Sequence, residues 1–221
     1  MSSIKLKHSG GNSVSLNPPT SAPTSTEVAF KLPTSDGSAG QVLQTDGSGN
    51  LSWVTIAGGI TEYDSWQISQ DFTTDTSSPD YFNSNWVRHS LSNNLFEKIG
   101  TGLTESNGIF TFPSPGKYEI YGEWYMFANS ITDSNVTGSI YATHNASAGS
   151  PTYSLVGRTA MSIQGNSERF YISTTCLIDV TSTSEVKMRM ASDSSNGVTF
   201  GGGNDGTGKR TGFTIKKLAE T

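Results

Sequence analysis

Short runs of apolar and β-branched residues recur along the chain from residue 28 onwards, separated by Gly, Pro, Asn, Asp and Ser. None of these runs sustains the 3.6-residue apolar period of an amphipathic helix, so we predict no helix of useful length. About ten strands at this spacing are typical of an all-β sandwich or barrel. The strands predicted after residue 60 are Asp64–Ser69, Trp86–His89, Leu95–Ile99, Ile109–Phe112, Lys117–Asn129, Val136–Asn145, Thr152–Thr159, Arg169–Val180, Glu185–Ala191, Val198–Phe200 and Gly212–Leu218.

The run from Lys117 to Phe127 carries large apolar residues on both faces of one strand. Tyr118, Ile120, Trp124 and Met126 alternate with a second set. That second set is Tyr121, Tyr125 and Phe127, interleaved with Glu119 and Glu123. A sandwich strand normally alternates core and solvent. Because large apolar patches are rare on monomers, we expect a subunit interface over the second face, with shelter by the chain's own loops as the alternative.

Residues 1–27 form a polar arm containing Pro18, Pro19 and Pro23, which predict an extended segment without a helix. Ile4–Lys7 and Val14–Leu16 alternate apolar and polar residues, so each run is expected to add a strand to another subunit's sheet. The alternative is an unstructured terminus. The candidate docking residues are Ile4, Leu6, Val14 and Leu16.

Residues 28–59 are predicted to be a small β neck of three strands. The strands are Val28–Leu32, Gln41–Thr45 and Leu51–Val54, separated by Asp-Gly turns at 36–37 and 46–47. Three strands of about five residues bury little alone, so the neck is expected to pack on identical copies. Its interface candidates are Phe30, Leu32, Val42, Leu43 and Trp53.

The stretch from Lys31 to Trp53, with its two Asp-Gly turns and closing Trp, resembles a motif of phage tail-fibre and virion appendage proteins, notably those of marine phages. The resemblance implies a homotrimeric virion appendage, assembled with other virion structural proteins and exposed on the particle surface.

A second resemblance lies in the main domain, residues 60–221. Gly108–Tyr121 resembles the strand-turn-strand signature of the C1q/TNF-like jelly roll, and Thr211–Leu218 is similar to that family's last strand. The resemblance implies a ten-stranded jelly-roll sandwich that forms compact trimers.

Composition and charge exclude several classes of partner. The net charge of −5 argues against nucleic acid, which needs a cationic surface. The N-terminus has no apolar signal-peptide core and no run approaches a membrane span, so we expect neither a signal peptide nor membrane insertion.

The single cysteine, Cys176, lies in an apolar run and is expected to be a small buried hydrophobic residue.

Catalytic and cofactor motifs are absent or incomplete. Gly203–Lys209 has the glycine and lysine spacing of a phosphate-binding loop, but Arg210 replaces the Ser or Thr and a strand replaces the helix. Glu119 and Glu123 are about 13 Å apart on one strand, too far for a glycosidase pair within one chain. His8, His89 and His144 show no metal-ligand spacing. We expect no enzyme and no cofactor, while calcium binding by Asn204 and Asp205 stays open.

Three functions follow from these features. The first is a phage fibre or spike subunit, docked through residues 1–27, whose head binds a host surface glycan or protein. The second is a trimeric capsid decoration or head-fibre protein, slightly favoured by the single short neck. The third is an enzyme that degrades surface polysaccharide. The receptor-binding candidates of the first hypothesis are Trp66, Trp86, Asn204, Asp205, Lys209 and Arg210.

Overall fold

A computed structural model describes residues 4–17, 19–25, 27–55, 59–75, 78–89, 97–128, 132–164, 168–203 and 211–221. All regular structure in this part of the chain is β-structure, which confirms the all-β prediction. The chain divides into two compact units, Met1–Ala57 and Gly58–Thr221.

The first unit contains two separate antiparallel hairpins. Strand β1 (Ile4–Lys7) pairs with β2 (Ser13–Leu16), and β3 (Gln41–Thr45) pairs with β4 (Leu51–Thr55). Both arm runs are strands, as predicted, and they pair with each other in a hairpin; the addition of these strands to another subunit's sheet stays a prediction. Of the three predicted neck strands, Val28–Leu32 is reduced to one parallel bridge between Lys31 and Asn50.

The second unit is a sandwich of two sheets. Its strands are β5 (Tyr63–Ile68), β6 (Phe72–Thr73), β7 (Asp80–Tyr81), β8 (Trp86–Arg88), β9 (Thr104–Ser106), β10 (Ile109–Thr111), β11 (Gly116–Ala128), β12 (Thr132–Thr143), β13 (Ser154–Gln164), β14 (Glu168–Val180), β15 (Lys187–Asp193), β16 (Thr199–Phe200) and β17 (Gly212–Ala219). In sheet I, the strands β5, β17, β11 and β14 lie side by side in that order, with β8 beyond β5. In sheet II, the order is β9, β10, β15, β12 and β13.

The strand order itself defines a jelly roll. Four antiparallel pairs are nested in the sequence: β12 with β13, then β11 with β14, then β10 with β15, and finally β5 with β17. A long hairpin with these nested pairs, rolled so that alternate pairs fall in opposite sheets, is the jelly-roll arrangement. The sequence prediction of a jelly-roll head is confirmed at this level.

Side chains from both sheets fill the space between them. Tyr118, Ile120, Trp124 and Met126 of β11 are all fully buried, as predicted for that face. Two glycines make room for the large indole of Trp124. A methyl group at Gly122 would lie 2.7 Å from this indole, and one at Gly138 would lie 2.3 Å from it. The indole of Trp124 therefore fits between the sheets because Gly122 and Gly138 have no Cβ.

All but one of the runs predicted as strands after residue 60 contain a strand. In Leu95–Ile99, residues 95–96 lie outside the described residues, and Ile99 forms an isolated bridge to Tyr63. The pattern missed three short strands of two or three residues, β6, β7 and β9. Such short pairings carry too few alternating positions to show a period.

Candidate functional site

The outer face of sheet I carries large aromatic and aliphatic side chains that the described residues leave exposed. Strand β11 pairs with β14 along its whole length, with Tyr121 opposite Thr175 and Tyr125 opposite Tyr171. On this face Tyr121 is 38% exposed, Tyr171 is 66% exposed and Leu177 is 68% exposed. Both strands thus have large side chains on each side, which is the two-sided pattern seen in the sequence.

The aromatic side chains at one end of this face contact one another. The ring of Tyr125 lies 4.8 Å from that of Phe127 and 4.5 Å from that of Tyr171. The guanidinium of Arg169 lies 5.8 Å from the Phe127 ring. These contacts leave Tyr171 as the outermost ring of the group.

Tyr125 is only 5% exposed, because its own chain covers it. A methyl group at Gly201 would lie 2.6 Å from the Tyr125 ring, so the backbone there lies directly on the ring. The backbone N–H of Gly201 also donates to the carbonyl of Tyr125 at 2.8 Å. Of the interface candidates on β11, Tyr121 is exposed. Tyr125 is instead covered by the chain's own backbone at Gly201, which is the alternative that the sequence analysis gave for this face.

Sequence reasoning named the β11 residues of this face and missed those of β14. Tyr171 and Leu177 alternate with Phe170, Ile172 and Ile178, which face the core or its margin. The same two-sided pattern that singled out β11 was therefore present in β14. It was weaker because Ser173 and Thr175 lie between the two apolar residues.

An ion pair lies at the margin of this face. Glu119 and Lys216 are opposite each other in the register, with a separation of 2.5 Å between the carboxylate oxygen and Nζ. Both side chains are about one-third exposed (29% and 36%). A pair at this exposure contributes less than about 1 kcal/mol and leaves the face electrically neutral at this point.

The neck hairpin β3–β4 also has exposed apolar side chains. Val42, Leu43 and Trp53 are each between 38% and 42% exposed, and Phe30 and Leu32 are more exposed still, at 63% and 74%. Trp53 lies over Gly37, where a methyl group would lie 2.6 Å from the ring, and its Nε1–H donates to the carbonyl of Ser35 at 3.0 Å. These two contacts hold the first Asp-Gly turn, at 36–37, against Trp53.

The second Asp-Gly turn is held by its own aspartate. The carboxylate of Asp46 accepts hydrogen bonds from the backbone N–H groups of Ser48 and Asn50 and from the Asn50 side chain. The Asn50 side-chain bond is the leading cause that lowers the pKa of Asp46 below its ordinary value. Specific contacts therefore explain Gly37 and Trp53 at the first turn, and Asp46 and Asn50 at the second.

The arm hairpin gathers the four docking candidates on one face. The register places Ile4 opposite Leu16 and Leu6 opposite Val14. All four side chains are between 64% and 71% exposed. Lys5 and Lys7 pair with Ser15 and Ser13 on the opposite, polar face. The result is an amphipathic two-stranded ribbon.

The structure contradicts two of the receptor-binding candidates. Trp66 and Trp86 are each only 8% exposed and belong to the core, where both indole rings pack on Phe110. Their N–H groups donate to Asp64 and to the Phe82 carbonyl. The other candidates, Asn204, Asp205, Lys209 and Arg210, lie outside the described residues.

The described residues contain no cluster of three or more His, Cys, Asp or Glu side chains that would hold a metal ion. Burial raises the pKa of the Cys176 thiol to about 11, so this thiol is protonated and a poor nucleophile near neutral pH. The described part of the chain also has no helix with the length and apolar character needed to cross a bilayer.

Comparison with known proteins gives structural likenesses alone. No family model matches the sequence, and no curated protein matches it. Among solved structures, the chain is similar to the Eiger TNF of S. frugiperda, with 12% identity, a TM-score of 0.48 and coverage of 74% of this chain and 96% of that one. It is also similar to murine APRIL at pH 5.0, with 11% identity, a TM-score of 0.48 and coverage of 71% and 99%. For murine APRIL at pH 8.0 the identity is 11%, the TM-score 0.46 and the coverage 71% and 98%.

Proposed function

We propose that the chain is a non-enzymatic structural subunit of a phage virion appendage, a tail fibre or spike. In this proposal it forms a homotrimer, docks on other virion proteins through its arm, and binds the host surface through its jelly-roll head. The observation that carries the proposal is that each segment exposes an apolar surface of its own. These surfaces are the arm hairpin, the neck hairpin and the outer face of sheet I.

Trimer formation is supported by surfaces in both units. The exposed Tyr121, Tyr171 and Leu177 of sheet I form a patch of the kind that marks an interface on a soluble protein. An isolated two-stranded hairpin is at best marginally stable in water, and β3–β4 exposes Val42, Leu43 and Trp53. Identical copies would cover both surfaces at once, since closed symmetric assembly is the usual state of soluble homo-oligomers.

The arm hairpin supports docking on a different protein. Its apolar face consists of Ile4, Leu6, Val14 and Leu16, and four such residues bury far less than the roughly 800 Å² per partner of a stable interface. Three arms that bind together would compensate, because the second and third contacts become intramolecular. A trimer with three weak arms could therefore be held firmly on another virion protein.

The assignment to a phage particle rests on the resemblance of Lys31–Trp53 to appendage proteins. The contacts of Gly37 with Trp53 and of Asp46 with Asn50 give this motif a structural basis. Immunogold electron microscopy of source particles, with antibody against residues 60–221, tests the assignment. Label at the tail is expected, and particles without any label would refute it.

Docking through the arm has a matched control within the same hairpin. The variant Ile4→Ser/Leu6→Ser removes half of the apolar face, whereas Lys5→Ser/Lys7→Ser alters the polar face alone. Purified protein is added to particles that lack it, and bound protein is quantified after sedimentation. We expect the first variant to lose binding and the second to keep it; equal binding by both variants would contradict docking through this face.

A capsid decoration or head-fibre protein is the second candidate. The observation that favours it is that the segment between the arm and the head contains one hairpin of five-residue strands, β3–β4, which suits a compact knob better than a long fibre. Immunogold label over the head would select this candidate. A reducing-sugar assay on host envelope tests the third candidate, a polysaccharide-degrading enzyme, and we expect no sugar release.

A further inference from the structure

A cluster of three tyrosines and one arginine lies on the outer face of sheet II, away from the proposed subunit interface. Tyr81 comes from β7, Tyr141 from β12, and Tyr153 from the loop that leads into β13. Each of the three side chains is half-buried. The cluster combines residues that are up to 108 positions apart in the sequence, from Tyr81 to Arg189, so sequence reasoning did not find it.

The rings and the guanidinium are in direct contact. The Tyr81 ring lies 5.5 Å from the Tyr141 ring in an edge-on arrangement and 6.4 Å from the Tyr153 ring. The guanidinium carbon of Arg189 lies 3.7 Å from the Tyr81 ring centre and 5.4 Å from that of Tyr153. Asn83 accepts a hydrogen bond from Nη2 of Arg189. The Arg189 guanidinium therefore lies against the Tyr81 and Tyr153 rings, and cation–π contacts with it stabilise the positions of both rings.

The sheet beneath the rings is lined by small residues. Tyr81 lies opposite Ala191, and Ala191 lies opposite Ser139 on the next strand. Both small residues are fully buried although their positions face outward from the sandwich. The tyrosine rings therefore surround a shallow part of the sheet surface formed by Ala191 and Ser139.

Several polar atoms of the cluster are left without protein partners. Among the described residues, none of the three phenol hydroxyls forms a hydrogen bond to another side chain or to the backbone. Nε of Arg189, Oδ1 of Asp193 and the Ser139 hydroxyl are buried atoms that also lack a partner. Polar groups that converge on one aromatic surface and remain unpaired are the usual mark of a ligand site.

Charge and shape select the ligand class. The groups that act electrostatically on the tyrosines include Arg189, Arg158 and Asp193, so charges of both signs border the cluster, and a charged ligand of either sign would be attracted by one group and repelled by another. A neutral sugar ring avoids this conflict. Its C–H face packs on a phenol ring, and its hydroxyls both donate and accept, which matches tyrosine hydroxyls and an arginine.

We infer that the surface formed by Tyr81, Tyr141, Tyr153 and Arg189 binds a neutral carbohydrate. The inference rests on the proposed host-binding role for its biological meaning. It assigns that binding to the outer face of sheet II and not to the receptor-binding candidates Asn204, Asp205, Lys209 and Arg210.

The experiment uses the purified full-length protein and an array of neutral hexose oligosaccharides together with their sialylated and uronic-acid counterparts. Three proteins are compared: the native chain, the triple variant Tyr81→Phe/Tyr141→Phe/Tyr153→Phe, and Tyr63→Phe. The triple variant keeps the rings and removes the hydroxyls, and Tyr63→Phe removes one hydroxyl from sheet I as the matched control. Thermal unfolding midpoints establish that all three are folded.

We expect the native protein and Tyr63→Phe to bind neutral oligosaccharides equally, and the triple variant to bind at least tenfold more weakly. A further variant, Tyr153→Ala, removes a ring from a loop and is expected to abolish binding. Absence of neutral-sugar binding by the native protein, a preference for the acidic sugars, or equal binding by the Tyr variants would each overturn the inference. Because this assay needs no particle, its failure is distinguishable from an absence of immunogold label on the virion.

Discussion

Asp64 is a fully buried carboxylate that connects three parts of the head. It accepts hydrogen bonds from the side chains of Arg88 and Trp66 and from the backbone N–H groups of Ser65 and Leu103. Nη2 of Arg88 also donates to the Leu103 carbonyl. A buried charge is tolerated only when it is paired and hydrogen-bonded in this way, so these residues stabilise the fold as a group.

We expect Asp64→Ala to lower the free energy of unfolding by about 3 kcal/mol. This value is at the lower end of the range for a broken buried ion pair, because the Arg88 side chain remains 34% exposed and can be solvated. Urea unfolding followed by tryptophan fluorescence measures the change. The control is Glu119→Gln, which removes the charge of the 29% exposed partner of Lys216 and should cost less than about 1 kcal/mol. Equal losses in both variants would contradict the role of Asp64.

Asp133 provides a pH-dependent contribution to stability. Burial by itself would raise the pKa of its carboxyl, but hydrogen bonds from Asn135, Ser194, Ser195 and Asn196 outweigh burial, so the pKa is lowered. A lowered folded-state pKa stabilises the fold above the unfolded-state pKa, near 3.8. That stabilisation is lost as the pH falls through the folded-state value.

The variant Asp133→Asn should therefore be clearly less stable than the native protein at pH 7 and by a smaller margin at about pH 2, below the ordinary pKa of an aspartate, where the stabilisation by the Asp133 charge is being lost. Urea midpoints at the two pH values measure the difference. Asp36→Asn, at an exposed position of the neck, serves as the control and should change little at either pH. A stability difference that is the same at both pH values would show that the charge of Asp133 is not involved.

At the scale of elements, the long strands could be predicted and their partners could not. Strand β11 was predicted with the residues of both faces assigned. Over its thirteen residues the apolar side chains alternate consistently, so only one choice of buried face fits the pattern. The pairing of β1 with β2 was missed, since four residues in each run are compatible with local or intersubunit pairing. Trp66 was predicted as a receptor-binding residue. Its neighbours Asp64, Ser65 and Gln67 are polar, yet the structure buries them together with Trp66, which no alternation rule predicts.

The neck hairpin depends on the contact between Gly37 and Trp53. Replacing Gly37 with Ala would place a methyl group 2.6 Å from the indole, and such overpacking costs about 1–3 kcal/mol. We expect Gly37→Ala to increase the rate of tryptic cleavage at Lys31, which is bonded to the hairpin through Gly49 and Leu51. Gly149→Ala, where a methyl group meets no atom within 4 Å, is the matched control. Unchanged cleavage in Gly37→Ala would mean that Trp53 moves aside without loosening the neck.

At the scale of the whole molecule, the two outer faces of the sandwich differ in a way that separates their roles. Sheet I exposes Tyr121, Tyr171 and Leu177, whose side chains offer mainly apolar area. Sheet II presents the Tyr81 cluster, where aromatic rings are mixed with charged and unpaired polar groups. A permanent subunit contact favours the first kind of surface, and a small polar ligand favours the second.

This difference leads to a prediction about assembly. Light scattering of the native protein at micromolar concentration should give three times the 23.5 kDa mass of the chain. The variant Tyr171→Glu/Leu177→Glu adds two carboxylates per copy to the outer face of sheet I. Both residues are about two-thirds exposed, so the substitutions should leave the isolated fold intact. Like charges brought together in an interface cost several kcal/mol, which corresponds to at least a hundredfold weaker association.

The matched control places the same two charges on sheet II, as Leu155→Glu/Val156→Glu, at positions that are 46% and 38% exposed. We expect this control to remain trimeric while the sheet I variant runs as a monomer. Dissociation by the control alone would move the subunit contact to the β13 edge. A native protein that is itself a monomer would leave the aromatic face of sheet I without its proposed cover, and would also remove the argument that three weak arms bind the virion together.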